Sequence, residues 1–167
     1  MAFSRRRSER LPASVLEAIS LGSGERVLTW APEEPTGSTV VATNHHLYAV
    51  GAAGQRTLVR PWHEVDAGTW SSELGQLTVT WVDGSRPVQW TLGASTLLPE
   101  TVRERVQASV VLAQRVDLGN RRGARVVIRQ DLASGDLVEQ VVLGRGIRAD
   151  EPAIAAALAD LREQVGL

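Results

Sequence analysis

Three histidines are the residues of this chain best suited to bind a metal or transfer a proton: His45, His46 and His63. Glu64 and Asp66 lie beside His63, and imidazole together with carboxylate suits zinc or iron. Adjacent residues of a strand point to opposite faces, so His45 and His46 cannot ligate one ion unless the chain turns there. We interpret the histidines as turn or surface residues, and a small metal-dependent enzyme using His45 or His63 is the least favoured alternative.

Other catalytic and cofactor motifs are absent from the sequence. The chain contains no cysteine, which excludes a disulfide scaffold, a thiolate zinc site and a cysteine nucleophile. It has no Gly-x-Ser-x-Gly elbow, and Gly22 and Gly24 precede a predicted strand, whereas phosphate-binding loops open a helix. We therefore expect no catalytic residue, no cofactor and no bound metal.

Arginine supplies the only regional charge signal. All 18 basic residues are arginine, against 19 acidic ones, and the net charge of -1 does not favour a nucleic-acid binder. Two clusters form a candidate basic patch, which consists of Arg5, Arg6, Arg7, Arg10, Arg121, Arg122, Arg125 and Arg129. If they meet, they offer a surface to acidic lipid, nucleic acid or an acidic protein. The alternative, which we favour, is a solvated strand face balanced by Asp131, Asp136 and Glu139 across a hairpin.

The first half of the chain predicts short strands separated by turn residues. A short helix over residues 11–21 comes first. The strands are predicted at 25–31, 39–43, 46–50, 55–62, 65–70, 77–82 and 87–92. Asp83 and Gly84 mark a hairpin turn. The five tryptophans fall in these strands, and between Leu74 and Leu92 the only interleaved arginine is Arg86, so they predict core packing rather than a stacking surface for bases.

After residue 93 the spacing of apolar residues becomes helical. The residues that repeat about every four positions are Leu98, Val102, Val106, Val110 and Ala113. They predict one helix of about four to five turns, packed on the preceding sheet. Beyond residue 117, strands at 124–130 and 137–143 and a final helix from 150 to 166 predict a ββα extension. It is too small to be stable alone, so we expect it to pack on the barrel or on a second copy of the chain.

Many short strands followed by one amphipathic helix resemble the pleckstrin-homology-like (PH-like) superfold in its bacterial or GRAM-like versions. The resemblance covers about residues 22–116. The segments that carry it are Gly24-Glu25-Arg26-Val27-Leu28, Val41-Ala42-Thr43-Asn44-His45-His46-Leu47-Tyr48 and Arg60-Pro61-Trp62-His63-Glu64-Val65. The resemblance implies a barrel or sandwich capped by a helix, and a binding or scaffold module rather than a catalyst.

Phosphoinositide binding does not follow from this resemblance. Some members of the family bind these lipids through basic residues in the loop after the first strand. The corresponding loop here holds Glu33 and Glu34 and no basic residue. Two carboxylates repel a polyphosphate head group.

These observations predict an α+β protein, mainly antiparallel β, with a PH-like barrel or sandwich and a C-terminal ββα extension. Its parts are a basic arm and short helix (1–21), the PH-like domain (22–116) and the extension (117–167). No apolar run approaches the roughly 20 residues that span a bilayer, so we expect a cytoplasmic protein. The predicted function is non-catalytic binding of a protein partner or self-association, and the alternative is peripheral attachment to an anionic membrane through the arginine clusters. No nucleic-acid partner is expected.

Overall fold

The computed structural model describes residues 10–167, which form three antiparallel sheets and three α-helices. The strands are β1 (Val27–Pro32), β2 (Thr39–Thr43), β3 (His46–Val50), β4 (Arg56–Pro61), β5 (Val65–Ser71), β6 (Gln76–Trp81), β7 (Val88–Thr91), β8 (Val110–Asp117), β9 (Gly123–Gln130) and β10 (Leu137–Leu143). The helices are α1 (Ala13–Ile19), α2 (Leu98–Ser109) and α3 (Pro152–Val165), with a 3-10 helix at Trp62–Glu64. The predicted α+β class with mainly antiparallel strands is confirmed.

Within the described residues, the hydrogen-bonded strands form three separate sheets. The first sheet has the strand order β1-β2-β3-β4, the second β5-β6-β7 and the third β10-β9-β8. None of them closes on itself into a barrel.

The first two sheets share the main hydrophobic core. Strand β6 shows the pattern: Leu77, Val79 and Trp81 are buried, while the residues between them are half-buried. Helix α2 lays Leu98 and Val102 on this core, and both side chains are fully buried. The predicted packing of an amphipathic helix on the sheet is therefore confirmed.

Three of the five tryptophans lie in this core. Trp62, Trp81 and Trp90 are buried, whereas Trp30 and Trp70 are half-buried. Trp62 lies in the 3-10 helix rather than in a strand, so its predicted location is wrong although its predicted burial is right. Its Nε1 donates to the backbone carbonyl of the last residue of β2 at 2.9 Å, which satisfies the one polar atom of a buried indole.

Helix α1 covers the outer face of the first sheet. Val15 and Ile19, one helical turn apart, pack against Val41, Tyr48 and Val50 of β2 and β3. The helix predicted within residues 11–21 is confirmed. None of the helices in residues 10–167 is both long and apolar enough to cross a lipid bilayer.

The third sheet begins where the sequence predicts a helix. Helix α2 ends at Ser109 and β8 follows at once, so the prediction of one helix reaching Ala113 is wrong. Leu112 and Val116 instead lie on one face of β8 and pack in the cluster that contains α3. A spacing of four residues fits two strand periods as well as one helical turn. The predicted ββα extension is therefore a βββα unit, and it starts before the predicted boundary at residue 116.

Polar groups connect the third sheet to the 3-10 helix and the start of β5. Gln140 Nε2 donates to the backbone carbonyl of His63. Arg129, only 2% exposed, donates from Nη2 to the carbonyls of Trp62 at 2.7 Å and Val65 at 3.0 Å. These bonds lie within one chain and fix the position of the third sheet against the other two.

Candidate functional site: an arginine-lined cleft

An open cleft of about 570 Å³ lies at one end of the third sheet. Its walls come from the ends of β8, β9 and β10 and from the turn between β8 and β9. The charged residues of the lining are Arg115, Asp117, Arg121, Arg122 and Arg125. Val142 and Leu143 belong to its apolar part. Four guanidinium groups against one carboxylate favour an anionic ligand.

Two of these arginines lie opposite each other in the sheet. Arg115 and Arg125 are direct partners on β8 and β9. Their Cβ atoms are about 5 Å apart in such a pair, and like charges placed opposite each other destabilise a sheet. Asp66 of β5 forms an ion pair with Arg125, whereas Arg115 is exposed and has no ion pair within residues 10–167. An anion bound beside Arg115 would relieve the repulsion.

The turn between β8 and β9 presents the other two arginines. The N–H of Leu118 donates to the carbonyl of Arg122 at 3.0 Å, and the N–H of Arg122 donates to Gly119 at 2.9 Å. Arg121 has a φ of 58°, a left-handed conformation that is uncommon for residues other than glycine. Asp117 Oδ1 accepts the N–H of Gly119 at 2.9 Å, so the carboxylate of the cleft helps to hold the turn. The turn thus fixes where Arg121 and Arg122 leave the backbone.

The structure brings together part of the predicted basic patch. Arg121, Arg122 and Arg125 line the cleft, and Arg115 joins them from a segment that the sequence predicts to be helical. Arg129 does not belong to a surface patch and its prediction is wrong, because its side chain is buried. The part of the β9 face that carries it packs against the 3-10 helix and the start of β5 instead of facing solvent.

The N-terminal part of the predicted patch does not contribute to the cleft among the described residues. Arg10 is exposed and is not part of the cleft lining. Arg5, Arg6 and Arg7 lie outside the described residues.

The predicted charge balance across the β9–β10 hairpin is also wrong. The carboxylate that pairs with Arg125 is Asp66, which lies 59 residues earlier in the chain. Glu139 instead receives two hydrogen bonds from Arg162 of α3, both at 2.6 Å. These bonds hold the pKa of Glu139 below its usual value.

A second polar cluster lies beneath the loop after α1. The Glu25 side chain is 2% exposed and accepts hydrogen bonds from the Thr43 hydroxyl at 2.5 Å, the Gly22 N–H at 2.9 Å and the Tyr48 hydroxyl at 3.0 Å. Nδ1 of His46 lies 2.9 Å from the same carboxylate. The sequence gives no signal for this cluster, because Thr43 and Tyr48 lie 18 and 23 residues from Glu25 along the chain. Only Gly22 is a near neighbour of Glu25 in sequence.

The acid–base properties of this cluster suit a structural bond. Burial raises the pKa of Glu25, but its hydrogen bonds, that of Thr43 foremost, outweigh burial and bring the pKa to about 2. Burial and the neighbouring carboxylate raise the pKa of Tyr48. At neutral pH the carboxyl group is therefore an anion and the phenol is neutral, so neither is poised to exchange a proton. The cluster ties the loop to the first sheet.

His45 adjoins this cluster: its N–H donates to the Thr43 hydroxyl oxygen at 3.1 Å, and its ring centroid lies 6.2 Å from that of His46. His45 and His63 are half-buried. Residues 10–167 contain no group of three or more His, Asp or Glu side chains that could hold a metal ion.

Comparison with known proteins adds no relative to this picture: no protein-family model matches the chain, and none of the curated proteins matches it significantly.

Gly144 is required where β9 and β10 converge at the cleft. Its N–H donates to the carbonyl of Gly123 at 2.9 Å, and a Cβ added to Gly144 would overlap that same oxygen. We expect Gly144→Ala to lower the free energy of unfolding by about 1–3 kcal/mol, because the two strands must separate to admit the methyl group. Urea unfolding tests this. Gly22→Ala is the control, since its Cβ would make only ordinary contacts. Equal stabilities of the two variants would contradict the close approach.

Proposed function

We propose that the protein is a non-catalytic cytoplasmic binding module, with a PH-like domain formed by the first two sheets and α2, whose arginine cleft binds an acidic segment of a protein partner. The observation that carries the proposal is the convergence of Arg115, Arg121, Arg122 and Arg125 on one cleft. Three of the four have no carboxylate partner within residues 10–167. Their charge is thus available to a ligand.

The shape of the cleft supports a polypeptide ligand. Guanidinium groups bind carboxylates in a planar, two-bond geometry, which an acidic side chain entering a cleft can satisfy. Side chains on one face of an extended peptide repeat about every 7 Å, so one segment can reach several arginines. Val142 and Leu143 offer apolar contact beside the charges. A membrane surface is broad and nearly flat, and it is best contacted by side chains that project from a convex surface.

A labelled hexaglutamate peptide is the direct probe. We expect it to bind the wild-type protein at low salt and to lose affinity as salt rises. The double variant Arg121→Glu/Arg122→Glu should weaken binding by about tenfold or more, since it replaces two attractive charges by two repulsive ones. Fluorescence anisotropy measures both affinities. Arg86→Glu/Arg103→Glu makes the same charge change at exposed arginines that do not line the cleft, and it should weaken binding much less.

Two results would overturn the proposal. The first is an equal loss of peptide affinity in both double variants, which would show that only overall charge matters. The second comes from a parallel measurement with phosphatidylserine-containing vesicles. If the wild type binds these vesicles and not the peptide, and the cleft variant loses vesicle binding, the alternative of peripheral membrane attachment is correct.

A further inference from the structure

Among residues 10–167, strand β10 is an edge of the third sheet with no strand beyond it. Its seven residues read Leu-Val-Glu-Gln-Val-Val-Leu, and it pairs with β9 on one side only. The strand has no proline and no basic residue, and Leu137 and Leu143 at its ends are exposed. Native proteins protect such apolar edges with charge, proline, bulges or a covering element. The sequence of β10 shows little of this protection, which indicates that another strand covers it.

The free backbone groups of β10 belong to alternate residues. At one end the N–H of Gly144 donates to β9, and at the other the hairpin closes with a bond from Asp131 to Asp136. The regular register between these two bonds makes Val138, Gln140 and Val142 the hydrogen-bonded partners of β9. The residues whose N–H and C=O groups point away from β9 are Leu137, Glu139, Val141 and Leu143. Within residues 10–167 no other backbone group bonds to these outward groups.

The sequence of β10 is nearly symmetrical about Gln140. Counting outward from this residue, the flanking pairs are Glu139 with Val141, Val138 with Val142, and Leu137 with Leu143. An antiparallel pair of identical strands related by a two-fold axis places the members of each such pair opposite each other. Leucine then faces leucine, valine faces valine, and glutamine faces its own copy at the axis.

We propose that β10 pairs antiparallel with β10 of a second copy of this chain, centred on Gln140, so that the two third sheets form one continuous sheet. The outward groups of Glu139 lie opposite those of Val141 in the other copy, and those of Leu137 lie opposite those of Leu143. Each of these pairs exchanges two backbone hydrogen bonds, as in any antiparallel ladder. The register that matches side chains is therefore also the register that satisfies the free backbone groups.

The charges agree with this register. Glu139 is the one charged residue of β10, and its carboxylate is already bound by Arg162 of α3, so it does not approach the apolar Val141 of the other copy as a free charge. One step beyond the strand, Asp136 of one copy lies opposite Gly144 of the other. Gly144 lines the arginine cleft, and a carboxylate brought beside it is attracted by the guanidinium groups there.

The opposite edge of the sheet, β8, is less suited to such pairing. Its register is irregular between Val110 and Leu112, and the outward-pointing residues include Arg115 and Asp117. β8 therefore provides matched control positions on the same sheet.

A single cysteine tests the register, because the natural chain has none. Gln140→Cys places two thiols at the two-fold axis, where the Cβ atoms of directly opposite residues are close enough for a disulfide. We expect this variant to form a crosslinked dimer in solution on mild oxidation, as seen by non-reducing electrophoresis at increasing dilution. Ala113→Cys is the control, since it is exposed at the β8 edge. Crosslinking of Ala113→Cys to the same extent, or none in Gln140→Cys, would overturn the proposal.

Sedimentation equilibrium of the full chain tests the strength of the pairing. We expect the wild type to be a dimer. Val141→Pro removes an outward N–H that has no partner in the described part of the chain, so the monomer tolerates it as an edge position. The dimer loses the corresponding bond twice by symmetry, and its dissociation constant should rise about tenfold or more. Ala113→Pro makes the same change at the β8 edge and should leave the dimer intact, with circular dichroism showing that both variants fold. A monomeric wild type, or equal effects of the two prolines, would refute pairing through β10.

Discussion

Replacing Arg129 by alanine should lower the free energy of unfolding by about 3–5 kcal/mol, because each buried polar group that loses its partner costs about 1–3 kcal/mol and the large side chain leaves a cavity. The side chain is 2% exposed and joins three parts of the fold. Its Nε donates to the Ser109 hydroxyl at the end of α2 at 2.9 Å, and its Nη2 donates to the carbonyls of Trp62 and Val65. Alanine leaves these buried acceptors without a donor and leaves a cavity between the sheets.

Arg129 is a buried charged side chain whose hydrogen-bond partners are all uncharged. Burial lowers the pKa of its guanidinium to about 10, and the nearby carboxylate of Asp66 opposes that shift. The group is therefore still protonated at neutral pH, and its charge is met by carbonyl dipoles and a neighbouring ion pair rather than by a carboxylate bonded to it. Arginine suits such a place because its planar fork reaches several acceptors at once and is weakly hydrated.

Urea unfolding measures this effect, with Arg115→Ala as the matched control. Arg115 lies on the neighbouring strand and is exposed, so its removal should change stability by no more than about 0.5 kcal/mol. Arg129→Lys keeps the charge but cannot make the same set of bonds, and it should recover only part of the loss. If Arg129→Ala proves as stable as Arg115→Ala, the bonds that it makes do not hold the third sheet in place.

Local sequence pattern was sufficient for most of the secondary structure. Short β-prone runs separated by turn residues, together with the turn at Asp83 and Gly84, predicted β1 to β7, because the turns need particular residue types. The prediction from local pattern failed at residue 110, where a strand begins instead of the helix continuing. The spacing of Val106, Val110 and Ala113 fits a helix, but the residues that become buried beyond Ser109 are Leu112 and Val116, which alternate on a strand.

The arginines show why the site was harder to predict than the fold. Clustering along the chain correctly grouped Arg121, Arg122 and Arg125, because they flank one turn. Arg115 was missed because its place depends on the register of β8 against β9. Arg129 was misassigned because strand alternation groups it with Arg125 but does not say which part of that face packs against other sheets. That information lies in contacts far apart in sequence.

Glu25 should make the stability of the protein strongly dependent on pH in the acid range. The folded state holds its pKa at about 2, below the ordinary value of 4.5, because hydrogen bonds to the anion outweigh the effect of burial. A group whose pKa is lower in the folded state stabilises that state when it is ionised. Its contribution is fully present above pH 4.5 and is lost as the pH falls to about 2. The expected size is about 3 kcal/mol, since one pKa unit corresponds to about 1.4 kcal/mol.

Glu25→Gln isolates this contribution from that of the other carboxylates. The amide keeps the shape of the side chain but cannot be an anion, and its NH2 group faces donors from Thr43 and Tyr48 that need an acceptor. The difference in unfolding free energy between wild type and variant should therefore be large at neutral pH and shrink as the pH approaches about 2. Glu17→Gln, on the exposed side of α1, provides the control and should show no such trend. A difference for Glu25→Gln that is constant across this range would mean that the charge of Glu25 does not contribute to stability.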